Sequence, residues 1–86
     1  MKTVLDYIMN GKKFEYVGCQ TWGNVSAFEC DREEALHMAT ELGQVNEPII
    51  DHPDVSWEKE PGYFIQSGDL WYQFSDGSRE AVIVAI

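Results

Sequence analysis

Apolar and polar positions along this chain change period several times, and each change marks an element. Near the start, Val4, Leu5 and Ile8 fall on one helical face behind Thr3-Val-Leu-Asp6. That tetrapeptide has the form of a capping box, in which hydroxyl and carboxylate each satisfy the other residue's backbone N–H. Gly11 suits a left-handed residue closing such a helix, so a short helix is expected over residues 4–10. Phe14 to Cys30 has the pattern of a hairpin, with Gly23-Asn24 suited to its tight turn. A two-residue turn there sets Trp22 opposite Val25, Cys19 opposite Phe28 and Val17 opposite Cys30. One face then carries Val17, Cys19, Phe28 and Cys30 and is the expected core face. The other carries Phe14, Tyr16, Trp22, Val25 and Ala27 with Gln20 and Glu29, and is too aromatic for a plain solvated surface.

The helical period returns at residues 31–43. Asp31 is placed to cap, Glu34 stands where a capping box needs a carboxylate, and Glu33 and Glu34 favour the positive end of the helix dipole. Ala35, Ala39 and Leu42, flanked by Leu36 and Met38, form the inward stripe, and Gly43 ends it. Three strands are expected after residue 62: Tyr63–Gln66, Leu70–Phe74 and Arg79–Ile86, joined at Ser67-Gly68-Asp69 and at Asp76-Gly77. Val82-Ile-Val-Ala-Ile86 shows no polar alternation, which predicts a strand in the middle of the sheet, buried on both faces. The order α-β-β-α-β-β-β fits an α+β fold, an antiparallel sheet of about five strands with two helices packed on one face.

Length and charge narrow the functional classes. Eighty-six residues form one domain, residues 1–86, and 44% hydrophobic residues are enough for a folded core. No apolar run approaches a membrane span or a signal peptide, so a cytoplasmic protein is expected. Fifteen acids against six bases give a net charge of −9. Such a surface repels phosphates and anionic lipid, which excludes direct nucleic-acid and membrane binding and favours a basic protein partner.

Chemistry finds no foothold. The phosphate-binding glycine loop, the nucleophile elbow, the paired-histidine zinc helix and the calcium loop are all missing from the sequence. Cys19 and Cys30 share the expected core face, diagonally placed at roughly 7 Å, too far apart for a disulfide. Asp51, His52 and Asp54 could ligate a metal together with His37, but match no established spacing. His37 instead has Glu33 and Glu41 four residues to either side, as in a salt-bridged surface imidazole. Neither an enzyme, a cofactor nor a metal is expected.

Residues 46–62 hold five carboxylates together with all three prolines of the chain, Pro48, Pro53 and Pro61. Proline forbids one continuous helix, whereas Ile49, Ile50, Val55 and Trp57 are too apolar for a tether. An ordered loop anchored by Ile49 and Ile50 is expected, presenting Asp51, Asp54, Glu58 and Glu60 around Trp57. Two readings of that loop stay open: Trp57 completes the core, or it is the aromatic centre of a contact rimmed by carboxylates. The second, with Glu33, Glu34 and Trp22 added to the surface, describes a small acidic inhibitor of a basic nucleic-acid-binding protein or nuclease. Phage anti-defence inhibitors (anti-CRISPR and anti-restriction) and immunity proteins of nuclease toxins share this size and charge. The alternatives are a small-molecule or nucleotide sensor stacking its ligand on Tyr16 and Trp22, and a homo-oligomeric module. A homodimer is compatible with the first reading also.

Overall fold

Thr3 and Asp6 close on each other as their spacing predicts. The Asp6 N–H donates to Thr3 Oγ1, and the Thr3 N–H donates to Asp6 Oδ2 at 2.8 Å. In this computed structural model, which describes residues 2–18, 27–50 and 61–86, that box opens helix α1 (Val4–Met9). Strands β1 (Lys13–Tyr16) and β2 (Phe28–Asp31), helix α2 (Arg32–Glu41), and strands β3 (Gly62–Gln66), β4 (Asp69–Gln73) and β5 (Arg79–Ala85) follow. The five strands make one antiparallel sheet in the order β2-β1-β5-β4-β3. Both helices lie on one face, and the core between them and the sheet gathers Val4, Ile8, Phe14, Tyr16, Ala35, Ala39, Leu70, Val82 and Ile83. The α+β arrangement is therefore the one the pattern predicts. Among the described residues no helix is long and apolar enough to cross a membrane.

Strand β5 is central, and its unbroken apolar run has a more specific cause than burial on two faces. Leu70 pairs with Ile83 but Trp71 pairs with Ala81, which leaves Val82 as the extra residue of a β-bulge. Val82 and Ile83 consequently turn to the same side, and both are fully buried in the helix-facing core. Val84 and Ala81, toward the other face, are only half-buried.

The first hairpin corrects the expected register. Phe14 pairs with Cys30 and Tyr16 with Phe28, not Val17 with Cys30 and Cys19 with Phe28. The slip is three residues, an odd number, so β1 is turned over and Phe14 and Tyr16 face the core. Two aromatic rings bury far more apolar area than Val17 and Cys19 could, and at roughly 25 cal/mol per Å² that difference outweighs any turn preference. Gly23-Asn24 and Cys19 lie outside the described residues. Tyr16 is fully buried, its hydroxyl donating to Gln44 Oε1 and its ring 6.1 Å from that of Phe28. It is therefore unavailable to stack on a ligand.

Two glycines differ in what they do. Gly43 takes φ +71° and ends α2 as predicted. Gly11 is not left-handed, because α1 closes at Asn10 in the right-handed region. Gly11 is needed for space instead, since a Cβ there would overlap the Phe14 ring. Ile49 is buried and bridges Tyr63, and the Ile50 N–H donates to the Tyr63 carbonyl at 2.8 Å. These contacts are the predicted anchor of the acidic stretch.

Candidate partner-binding surface

Edge position and capping chemistry together decide which acids face outward. Asp31 ends β2 and caps α2, its Oδ1 accepting the Glu34 N–H at 2.9 Å. That bond fixes the first turn, and the inward Ala35 and Ala39 then turn Glu33 and Glu34 to solvent. Of the expected contact residues, these two are placed. Trp22, Asp51, Asp54, Trp57, Glu58 and Glu60 lie outside the described residues.

Glu33 and Glu34 border an apolar hollow of about 320 Å³, lined also by Phe28, His37 and Met38. Glu34 further borders a neighbouring hollow of about 430 Å³, whose other acids are Glu29 and Asp31 and which reaches Lys13 and Ile86. Phe28, packed against the core, is thus the aromatic side chain that stands beside these carboxylates. The His37 imidazole stands 3.6 Å from Glu41, both side chains well exposed. Of the two partners expected from the spacing, Glu41 makes the contact, which is an ion pair only when the imidazole is protonated, and so exposed a pair contributes little to stability.

Across the sheet from the helices, Glu15 on β1 lies directly opposite Glu29 on β2. Main-chain bonding shows how closely. The Ile86 N–H donates to Lys13 O, and the Val17 N–H to Val82 O, so the odd-numbered residues of β1 bond to β5. Phe14 and Tyr16 must then bond to β2, which makes Glu15–Glu29 a non-hydrogen-bonded pair. Such pairs hold their side chains closest, with Cα atoms about 4.5 Å apart. Like charges directly opposite are destabilising. Lys13 faces Asp31 instead, and Arg32 turns its Nε to the Gly11 carbonyl at 2.8 Å. No described base stands within ion-pair distance of Glu15, Glu29, Glu33 or Glu34, although Lys13 borders the hollow shared by Glu29 and Glu34, and Lys12 and Arg32 lie beside Glu33.

Other chemistry at this surface is muted. The Cys30 thiol is free and buried; burial first, then the charges of Glu34 and Asp31, push its pKa up, away from thiolate reactivity. Among the described residues no group of three or more His, Cys, Asp and Glu side chains is placed to hold a metal. Sequence reasoning missed the Glu15–Glu29 pair because the expected register set Glu15 across from Arg32. The burial demand of Phe14 and Tyr16 was the signal that could have found it. No protein-family model, curated protein or solved structure matches this chain.

Proposed function

We propose that this chain is a small acidic protein that binds a basic surface of a nucleic-acid-binding protein or nuclease and blocks it. The observation that carries this reading is the like-charge pair Glu15–Glu29, without an ion-pair partner among the described residues and continued around β2 by the exposed Glu33 and Glu34. A like-charge pair in the closest register position costs the free protein stability, and a partner's lysine or arginine placed over it removes that cost. The Phe28–Met38 hollow supplies the apolar half of the contact. It suits the aliphatic stem of an arginine or lysine, with the cationic head reaching Glu33 or Glu34. The net charge of −9 adds long-range steering toward such a partner.

Association kinetics against immobilised basic nucleic-acid-binding proteins, captured from the source cell and its viruses, test the proposal. The variant Glu15→Gln/Glu29→Gln/Glu33→Gln/Glu34→Gln is expected to slow association by about tenfold or more at low salt. Salt is expected to erase most of that difference. Equal association of variant and parent at low salt would sink the proposal.

A further inference from the structure

The two edges of the sheet are not equivalent. On the β3 side, the Tyr63 carbonyl already accepts the Ile50 N–H and Ile49 bridges the strand, so part of that edge is taken. On the β2 side, the alternation that directs Phe28 and Cys30 toward β1 directs the N–H and C=O of Glu29 outward. No described residue bonds to them. Asp31 is differently placed, because its side chain caps α2. Among the described residues, the groups left unbonded therefore centre on Glu29, the exposed member of the like-charge pair.

We infer that the β2 edge accepts an extended, basic segment of the partner as a sixth strand, hydrogen-bonded to the main chain of Glu29. Side chains alternate across a strand, so the residues of that segment next to Glu29 and Asp31 share their face of the sheet. Lysine or arginine at every second position meets Glu29 and Asp31, with Glu15 behind Glu29 and Lys13 behind Asp31. The intervening side chains lie on the helix-facing side, where Phe28, Met38 and Glu33 border the apolar hollow. Alternating basic and apolar residues are the chemistry this edge selects. A second copy of β2 is a poor occupant, because pairing two such edges stacks Glu29 and Asp31 against their own kind. The inference rests on the acidic-surface reading above and adds to it a backbone-directed mode of binding.

An alternating Lys-Val peptide and the full chain test it, with amide hydrogen exchange at Glu29 as the readout. Saturating peptide is expected to slow exchange of the Glu29 amide by about tenfold or more, as a new ladder bond does. The same peptide N-methylated at alternate residues keeps its charge but loses its donors, and is expected to give no protection. In the chain, Glu29→Pro removes the outward N–H at a position where the β1–β2 ladder does not use it. Glu29→Gln keeps that N–H and removes only the charge. Proline is expected to abolish peptide binding at every salt concentration, whereas Gln is expected to weaken it mainly at low salt. Equal protection by the N-methylated peptide, or unaltered binding to Glu29→Pro, overturns the sixth-strand inference and leaves the acidic-surface proposal standing. If neither the peptides nor a basic protein binds at low salt, both fall.

Discussion

Reversing one charge of the Glu15–Glu29 pair, with Glu29→Lys, is expected to stabilise the isolated protein. The two carboxylates are cross-strand neighbours in a non-hydrogen-bonded pair, the arrangement in which side chains approach most closely. Removing a like-charge pair and gaining an opposite one are each worth roughly 0.2–1 kcal/mol. Together they span roughly 0.4–2 kcal/mol, and because Glu29 is exposed and Glu15 half-buried, solvent screening keeps the sum in the lower part, about 0.5–1 kcal/mol. Glutamate and lysine are both poor strand formers, so intrinsic propensity leaves the estimate unchanged. With a urea dependence of about 1 kcal/mol/M for a domain this small, the midpoint rises by roughly 0.5–1 M. Any acid-to-lysine change also moves the net charge from −9 to −7, so Glu47→Lys, at an exposed site away from the pair, serves as the control. Urea unfolding followed by tryptophan fluorescence reads the difference, and near 1 M salt, where the screening length is about 3 Å, it should largely vanish. A double cycle of Glu15→Gln and Glu29→Gln isolates the pair itself. Additivity within about 0.3 kcal/mol, or no gain of Glu29→Lys over Glu47→Lys at low salt, refutes the reasoning.

Gly11→Ala forces a methyl into the Phe14 ring and is expected to cost about 1–3 kcal/mol, read as a lower thermal midpoint. Tyr16→Phe leaves a buried Gln44 amide, whose Nε2 already has no partner, with its oxygen unpaired as well. About 1–3 kcal/mol should be lost in urea, and a further Gln44→Met change should recover most of it. Burial raises the Cys30 thiol above its ordinary 9.0, the Tyr7 phenol to about 12 and the Tyr16 phenol further still. The unfolded chain then releases protons that the native chain keeps. Stability is expected to hold up to about pH 9 and to fall as pH rises through 12, by urea midpoints alongside tyrosinate absorbance. Glu15→Thr is expected to stabilise the chain by a few tenths of a kcal/mol, read as a higher urea midpoint, without inducing light scattering by aggregates.

The elements were legible because their signals are local. Thr3–Asp6 and Asp31–Glu34 each specify a helix start within four residues, and Ser67-Gly68, at φ +55° and +83°, needs no distant contact to reverse the chain. The register of β1 against β2 was not legible, because a turn signal competed with the burial of Phe14 and Tyr16. Such burial depends on helices and on β5, far off in sequence. The bulge at Val82 was hidden for the same reason. An unbroken apolar run is the same string whether it lies between two covered faces or turns two neighbours to one side.

The candidate surface inherits that asymmetry. Glu33 and Glu34 were readable from capping rules, whereas Glu15 and Glu29 become a pair only once the register is known. Acids on an exposed edge have a familiar protective use, since charge discourages the strand-to-strand pairing that begins aggregation. That explanation covers Glu29 and Asp31, which stand on the edge itself. It does not extend to Glu15, which stands on β1 with β2 on one side and β5 on the other. An acid there guards no edge, and opposite Glu29 it weakens the strand pairing that holds the edge strand in place. Protection from aggregation would favour threonine or lysine at that position. Under the proposed function, a cationic group bound over the two carboxylates would remove their repulsion, which gives Glu15 a role that protection of the edge does not.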